Sequence, residues 1–246
     1  MRSLLFSFAH PDDETFLVAG IACLYREQGV RLALVTATLG ELGRCGDPPV
    51  CSREELPAVR ARELHAAAHL LGLGVPTLLG YRDQELSNAP PMEIRQKLVG
   101  VIREHRPQVV VTFDPNGSNA HPDHIAISRF TSDAVAAAGD RRWFPEAGAA
   151  HQVRRLVWTP PSRPWLFARS GNLVAQPGVD FAFDISPWSA RKAEALRLHR
   201  TQHLNTARVF FSQPDVDRLL GLETFRQAFG PPLRERPSHD LFEGID

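Results

Sequence analysis

A short apolar run, Leu4-Leu5-Phe6-Ser7-Phe8-Ala9, leads straight into a histidine and three carboxylates, His10-Pro11-Asp12-Asp13-Glu14. A second His-Pro-Asp follows another apolar run, Val109-Val110-Val111-Thr112-Phe113, as His121-Pro122-Asp123-His124. Within each cluster two donors stand three residues apart, His10 with Asp13 and His121 with His124. Neutral imidazole and carboxylate suit zinc, and three protein ligands leave a position open for water. The pattern predicts a hydrolytic metal centre. Each cluster alone also has a plainer reading: a helix start with a capping aspartate and acids at the positive end of the dipole, or a polar turn. Finding both just after buried-type strands favours the metal, because open α/β sheets bind ligands beyond the carboxyl ends of their strands.

The elements that would bring the clusters together follow from periodicity and punctuation. Strands are predicted over 1–9, 31–38, 76–79, 107–113, 154–159 and 179–185. Helices are predicted over 15–28 (Phe16, Leu17, Ile21, Leu24 and Tyr25 on one stripe, ended by Gly29), 57–71, 92–104, 124–138, 187–199 and 216–229. Strands alternating with helices imply one α/β domain over 1–246: a Rossmann-like, mostly parallel sheet with helices on both faces and the metal site at the carboxyl ends of the strands. The 39–56 connection exceeds the usual loop length, which favours a functional loop. Residues 139–178, rich in Pro, Arg and Trp, read as loops rimming the site or as plain surface. No Gly-x-Gly-x-x-Gly follows the first strand, so a dinucleotide site has no support.

Composition narrows the function. The 246 residues are 43% hydrophobic, enough for a full core, and the formal net charge is zero. No basic excess argues for nucleic acid or an anionic membrane surface. No run approaches the ~18 apolar residues of a membrane helix. The short apolar start enters the acidic motif at once, unlike a signal peptide, so a cytoplasmic protein is expected. Cys45 and Cys51 flank a Gly-Asp-Pro-Pro segment; thiols in a cytosol are usually reduced.

The motifs resemble those of the PIG-L/LmbE family of zinc-dependent N-acetylglucosaminyl deacetylases, which includes the enzymes of mycothiol and bacillithiol synthesis. Ala9 to Glu14 matches its first metal motif in full, and His121 to His124 its second. Thr38-Leu39-Gly40-Glu41-Leu42-Gly43, Arg60-Ala61-Arg62-Glu63, Gly80-Tyr81-Arg82-Asp83, the Lys192 to Gln202 helix and Glu223-Thr224-Phe225 are similar to its weaker signatures, with Thr201 where serine is usual. The resemblance implies His10, Asp13 and His124 as metal ligands, for Zn²⁺, although Fe²⁺ accepts the same donors. It implies Asp12 as general base. His121 is then the group that stabilises the oxyanion and protonates the departing amine, oriented by Asp123. Arg60 and Asp83 are implied to hold the sugar, with Glu41 and His199 as lesser pocket residues. Asn119 stands where some members carry an aromatic hydroxyl; its amide can donate a hydrogen bond but cannot ionise.

The expected partner is a small N-acetylated sugar conjugate, with homo-oligomerisation left open by the sequence. Two other readings stand beside the deacetylase. One is a non-catalytic sugar-binding module with a structural metal. The other is a metal-dependent phosphoesterase, which often needs two ions.

Overall fold

Six consecutive residues of β1 (Ser3–Phe8) are buried, as in a strand covered on both faces. The computed structural model describes residues 1–160 and 178–245. β1 pairs in parallel with β2 (Arg31–Thr38) on one side and β4 (Val109–Thr112) on the other. β3 (Thr77–Tyr81) extends the sheet beyond β2, and β5 (Arg155–Trp158) beyond β4, all parallel. β7 (Leu222–Phe229) then runs antiparallel to both β5 and β6 (Phe181–Asp184). The strand order is β3-β2-β1-β4-β5-β7-β6.

From β1 the chain steps outward to β2 and β3 through α1 (Asp13–Leu17), α2 (Ala19–Glu27) and α3 (Leu56–Leu71). It then crosses to the other side of β1 through α4 (Pro91–His105), reaching β4, and continues through α5 (Pro122–Ala138) to β5. Right-handed crossovers in opposite directions put these two helix sets on opposite faces. The reversal lies between β1 and β4, the place where an open α/β sheet forms a crevice. The two His-Pro-Asp clusters leave those two strands, so topology alone brings them together.

Two expectations fail. Val216–Phe229 is not one helix: a short helix covers only Val216–Leu220, and Leu222–Phe229 is the antiparallel strand β7. Gly221 ends the helix, and Glu223 within the strand accepts the Gly20 and Ile21 N–H groups and the Lys192 ammonium. Those tertiary bonds override a helical reading of Glu-Thr-Phe-Arg-Gln. The helix expected over 15–28 is broken at Val18, whose ψ of 7° separates α1 from α2. Of the stretch expected as rim loops, residues 161–177 lie outside the described residues.

Candidate active site

At the β1/β4 crevice the structure brings His10, Asp13 and His124 together. His10 Nδ1 lies 3.1 Å from His124 Nε2, and the Asp13 carboxylate lies 3.7 Å from the former and 3.4 Å from the latter. All three are nearly buried. One Asp13 oxygen also accepts the Ala9 and His10 N–H groups, which fixes the carboxylate against the end of β1.

The tautomers follow from what the other ring nitrogens touch. His124 Nδ1 lies 3.1 Å from the Gly117 carbonyl, so it carries the proton and Nε2 is a bare lone pair. His10 Nε2 lies 3.1 Å from Asp83 and 3.2 Å from Asp123, so it donates there and Nδ1 is bare. With both rings neutral, two lone pairs and a carboxylate thus converge with no donor among them. That arrangement fits a cation: tetrahedral zinc with bonds of about 2.0–2.1 Å sets neighbouring nitrogens roughly 3.3 Å apart. Without one, burial pushes His10 down, but its bonds to Asp123 and Asp83 outweigh this and hold it up at about 10. Burial raises Asp13 to about 7 against the opposing charge of His10. Burial and the neighbouring His10 and His121 hold His124 well below its ordinary value, in the ligating form.

Local sequence explains the placement. The His124 ring stacks on Phe113 at 4.0 Å between centroids. Gly117 has φ +69°, and a Cβ there would lie 2.8 Å from the Ile125 nitrogen, so only glycine brings its carbonyl under His124. Asp123 serves His10 rather than His121, and Asp83, which lines the cavity, also bonds His10. Asp83 bonds His10 with one oxygen and the Leu42 N–H, at 3.0 Å, with the other. Burial would raise it, yet the His10 bond holds it at about 2. Asp123, expected to orient His121, instead accepts the Gln84 and Leu86 N–H groups as well as His10. Its carboxylate leaves the first turn of α5 toward the chain beyond β3, while only its backbone N–H meets His121, at Nδ1. His10, Asp83 and Asp123 also group as donors, but they share the protonated His10 nitrogen and make an orienting set rather than a second cation site.

Asp12 occupies the helix N-cap position without capping: its side chain accepts no backbone N–H there. The residue has φ 112° and ψ −28°, a conformation that costs an aspartate roughly 1–3 kcal/mol. Its carboxylate lines the cavity beside Arg60 Nη2, 3.5 Å away. Burial raises its pKa, opposed by Arg60 and His199. His121 also lines the cavity, 4.8 Å from the His10 and His124 rings between centroids. Burial and the charge of His10 lower its pKa.

The remaining predicted residues divide. Arg60 is buried rather than exposed, lines the cavity, and donates to the Gly40 carbonyl at 2.8 Å and to the Pro11 carbonyl. Gly40, at φ +62°, lets it pass: a Cβ there would lie 2.0 Å from the guanidinium. Glu63 does not pair with Arg60 but binds the Thr201 N–H and hydroxyl, at 2.9 and 2.6 Å. Asn119 lines the cavity and accepts the His121 N–H. Glu41 does not line it; its carboxylate accepts the Asp83 N–H. His199, expected in the pocket, is fully buried behind Asp12 against Glu14.

The cavity is about 350 Å³ and extends past the His10–Asp13–His124 cluster to a wall that sequence reasoning did not anticipate. Phe16 and Leu17 of α1 face Gln202, Asn205, Arg208, Val209 and Phe210 there. Ala207–Phe211 forms a π-helical turn, a departure that recurs at functional sites. Gln202 closed a quoted motif; Asn205 and Arg208 had no signal.

A sequence profile of the PIG-L family, described as GlcNAc-PI de-N-acetylase, matches residues 5–135. A 1D-myo-inositol 2-acetamido-2-deoxy-alpha-D-glucopyranoside deacetylase of Rhodococcus erythropolis is 32% identical, covering 99% of this chain and 98% of that one. A probable N-acetyl-alpha-D-glucosaminyl L-malate deacetylase of Bacillus anthracis is 40% identical over 55% of this chain and 60% of its own length. Among solved structures, N,N'-diacetylchitobiose deacetylase from Pyrococcus horikoshii superposes with TM-score 0.72 at 22% identity, covering 92% of this chain and 83% of that one. The 4-carboxy-2-hydroxymuconate hydratase of Pseudomonas putida, 18% identical, superposes with TM-score 0.67 over 96% of this chain and 99% of that one. The architecture therefore hosts more than one chemistry, and activity must be argued from the site.

Proposed function

This chain belongs to the PIG-L family, and from that premise we propose that it removes the acetyl group from an N-acetylglucosamine-type sugar conjugate, releasing the free amine and acetate. The observation that carries the reading is one cavity lined by His10, Asp13 and His124 together with Asp12 and with His121, whose donor atom lies within 4.8 Å of those of His10 and His124. A module with a structural metal has no use for an acid and a base beside the ion. A two-metal phosphoesterase lacks a second set of donors among the described residues, because both groups of donors that converge there, His10 with His121 and His124 and His10 with Asp83 and Asp123, share His10.

His10, Asp13 and His124 would hold zinc, which when bound lowers the pKa of a water toward neutrality and polarises a carbonyl. Asp12 takes the proton of the attacking water; its raised pKa makes it a stronger base than an ordinary carboxylate. Asp12 and His121 both line the cavity beside the cluster, so a substrate amide seated there meets a base and a donor. With Nδ1 accepting the Asp123 N–H, neutral His121 donates from Nε2 to the developing oxyanion; to protonate the departing amine it acts as the imidazolium, whose Nδ1–H gives up that bond and whose Nε2 proton passes to the amine. Asn119 adds an amide at the same edge.

The sugar fills the metal end, and the aglycone extends along the 202–210 wall. Arg208, exposed on that wall, fits an aglycone with an acidic group. We place the enzyme in the cytoplasm, acting as one domain over 1–246. The test is amine release by the zinc-loaded protein from N-acetylglucosaminyl malate, N-acetylglucosaminyl inositol and diacetylchitobiose. Release from at least one, abolished by chelation and restored by metal, is expected. No release from any, with metal bound, would refute the reading.

A further inference from the structure

Glu14 and His199 form a completely buried pair that the reaction scheme does not use. His199 Nε2 lies 2.7 Å from Glu14 Oε1, and neither residue has any solvent exposure. Neither lines the cavity, so neither meets substrate. The other ring nitrogen of His199, Nδ1, has no hydrogen-bond partner among the described residues. The second Glu14 oxygen accepts the backbone N–H of Asp12 at 3.1 Å.

That N–H belongs to the Pro11–Asp12 peptide, whose carbonyl is the one Arg60 holds. The plane is thus gripped on both edges, by Arg60 at its oxygen and by Glu14 at its nitrogen. Its orientation about the Asp12 N–Cα bond is φ, which stands at 112°. An aspartate stays there only while its surroundings over-determine it. On the other side, the Asp12 carbonyl accepts Thr15 N, Phe16 N and the Thr15 hydroxyl at 2.9, 3.1 and 2.8 Å. Helix α1 therefore fixes one end of the residue, and the peptide clamp fixes the other.

We propose that Glu14, backed by His199, is a positioning residue for catalysis: with Arg60 it clamps the Pro11–Asp12 peptide and so aims the Asp12 carboxylate into the cavity. The inference rests on Asp12 being the base. His199 restricts Glu14 to the rotamer that reaches the Asp12 N–H, so its effect passes through Glu14.

The test compares Glu14→Ala, Glu14→Gln and His199→Gln with the wild type, all zinc-loaded and full length. Glutamine at 14 keeps an oxygen for the Asp12 N–H and an amide for His199. Misplacing a reacting group by about 1 Å costs roughly 10²-fold, so Glu14→Ala should lose about that in kcat with KM and metal content held within about twofold. Glu14→Gln should recover most of the loss, and His199→Gln should fall between. Hydrogen exchange of the Asp12 amide should quicken in Glu14→Ala and not in Glu14→Gln. Wild-type kcat and wild-type Asp12 exchange in Glu14→Ala would overturn the proposal, as would equal damage in Glu14→Gln. If Glu14→Ala does not fold, the other two variants decide: a full loss of kcat in Glu14→Gln overturns the clamp. Asp12→Asn separates the premise. Should that variant keep full activity, Asp12 is not the base, while quickened exchange in Glu14→Ala would still report the clamp.

Discussion

His10 Nδ1 and His124 Nε2 face each other across 3.1 Å, and because each ring donates from its opposite nitrogen, only a further proton taken up on His10 can stand between them. With Asp13 alongside, the trio is stable only around a cation or with protons taken up. Metal and protons therefore compete for it.

In the metal-free protein His10 is held at about 10 and Asp13 at about 7. Near neutral pH the ion must displace at least the His10 proton. Affinity should rise about tenfold per pH unit between roughly pH 7 and pH 10, and more steeply below, where Asp13 is also protonated. Calorimetry in buffers of different ionisation heat counts the protons released. Stoichiometry should be about one ion per chain, and Asp13→Ala should abolish it. Binding without proton release would show that His10 and Asp13 are already deprotonated before the ion arrives.

The Asp123 carboxylate sits 3.2 Å from His10, away from the His121 ring. Asp123→Asn should thus weaken metal binding about 10–100-fold, the usual worth of a group that orients a metal-ligating histidine. Reduced kcat with metal affinity unchanged would instead return Asp123 to service on His121.

Much of this site was legible before any coordinates. Two donor pairs after two apolar strands located the centre, since a β-rich run ending in His-Pro-Asp marks both strand end and ligand. What sequence could not give was direction. Asp123 and His199 lie in matched motifs, but whether a side chain faces the cavity or the layer behind it depends on its rotamer and on packing from other elements. His199 turned inward because Glu14, far away in sequence, is buried against it. Strand β7 was misread for a related reason: local propensity favoured a helix, while partners for Glu223 came from α2 and from Lys192.

Asp12 and His121 set opposite limbs of the pH profile. Burial raises Asp12, and the base must be ionised, so activity should begin to rise above the ordinary carboxylate range. Burial and His10 lower His121, and the acid must be protonated, so the alkaline fall should come early. The bell narrows from both sides. Asp12→Asn should keep the metal and lose about 10²–10⁴ in kcat. His121→Ala should also keep the metal and flatten the alkaline limb. An unchanged profile in His121→Ala would leave the metal alone to handle the leaving group.

The two arginines of the cavity should separate kinetically. Arg60 was expected to hold substrate, yet its guanidinium grips the Pro11 and Gly40 carbonyls beside Asp12. Arg60→Lys, which cannot make those contacts as a planar fork, should therefore lower kcat more than it raises KM. Arg208 is exposed on the outer wall and holds no groups of the reaction centre. Arg208→Ala should leave kcat nearly constant and raise KM for N-acetylglucosaminyl malate about tenfold, the equivalent of about 1.4 kcal/mol. The neutral inositol conjugate should change by no more than about twofold. Equal effects on both conjugates would show that Arg208 does not read charge on the aglycone, and a kcat loss in Arg208→Ala would move the 202–210 wall from recognition into the reaction itself.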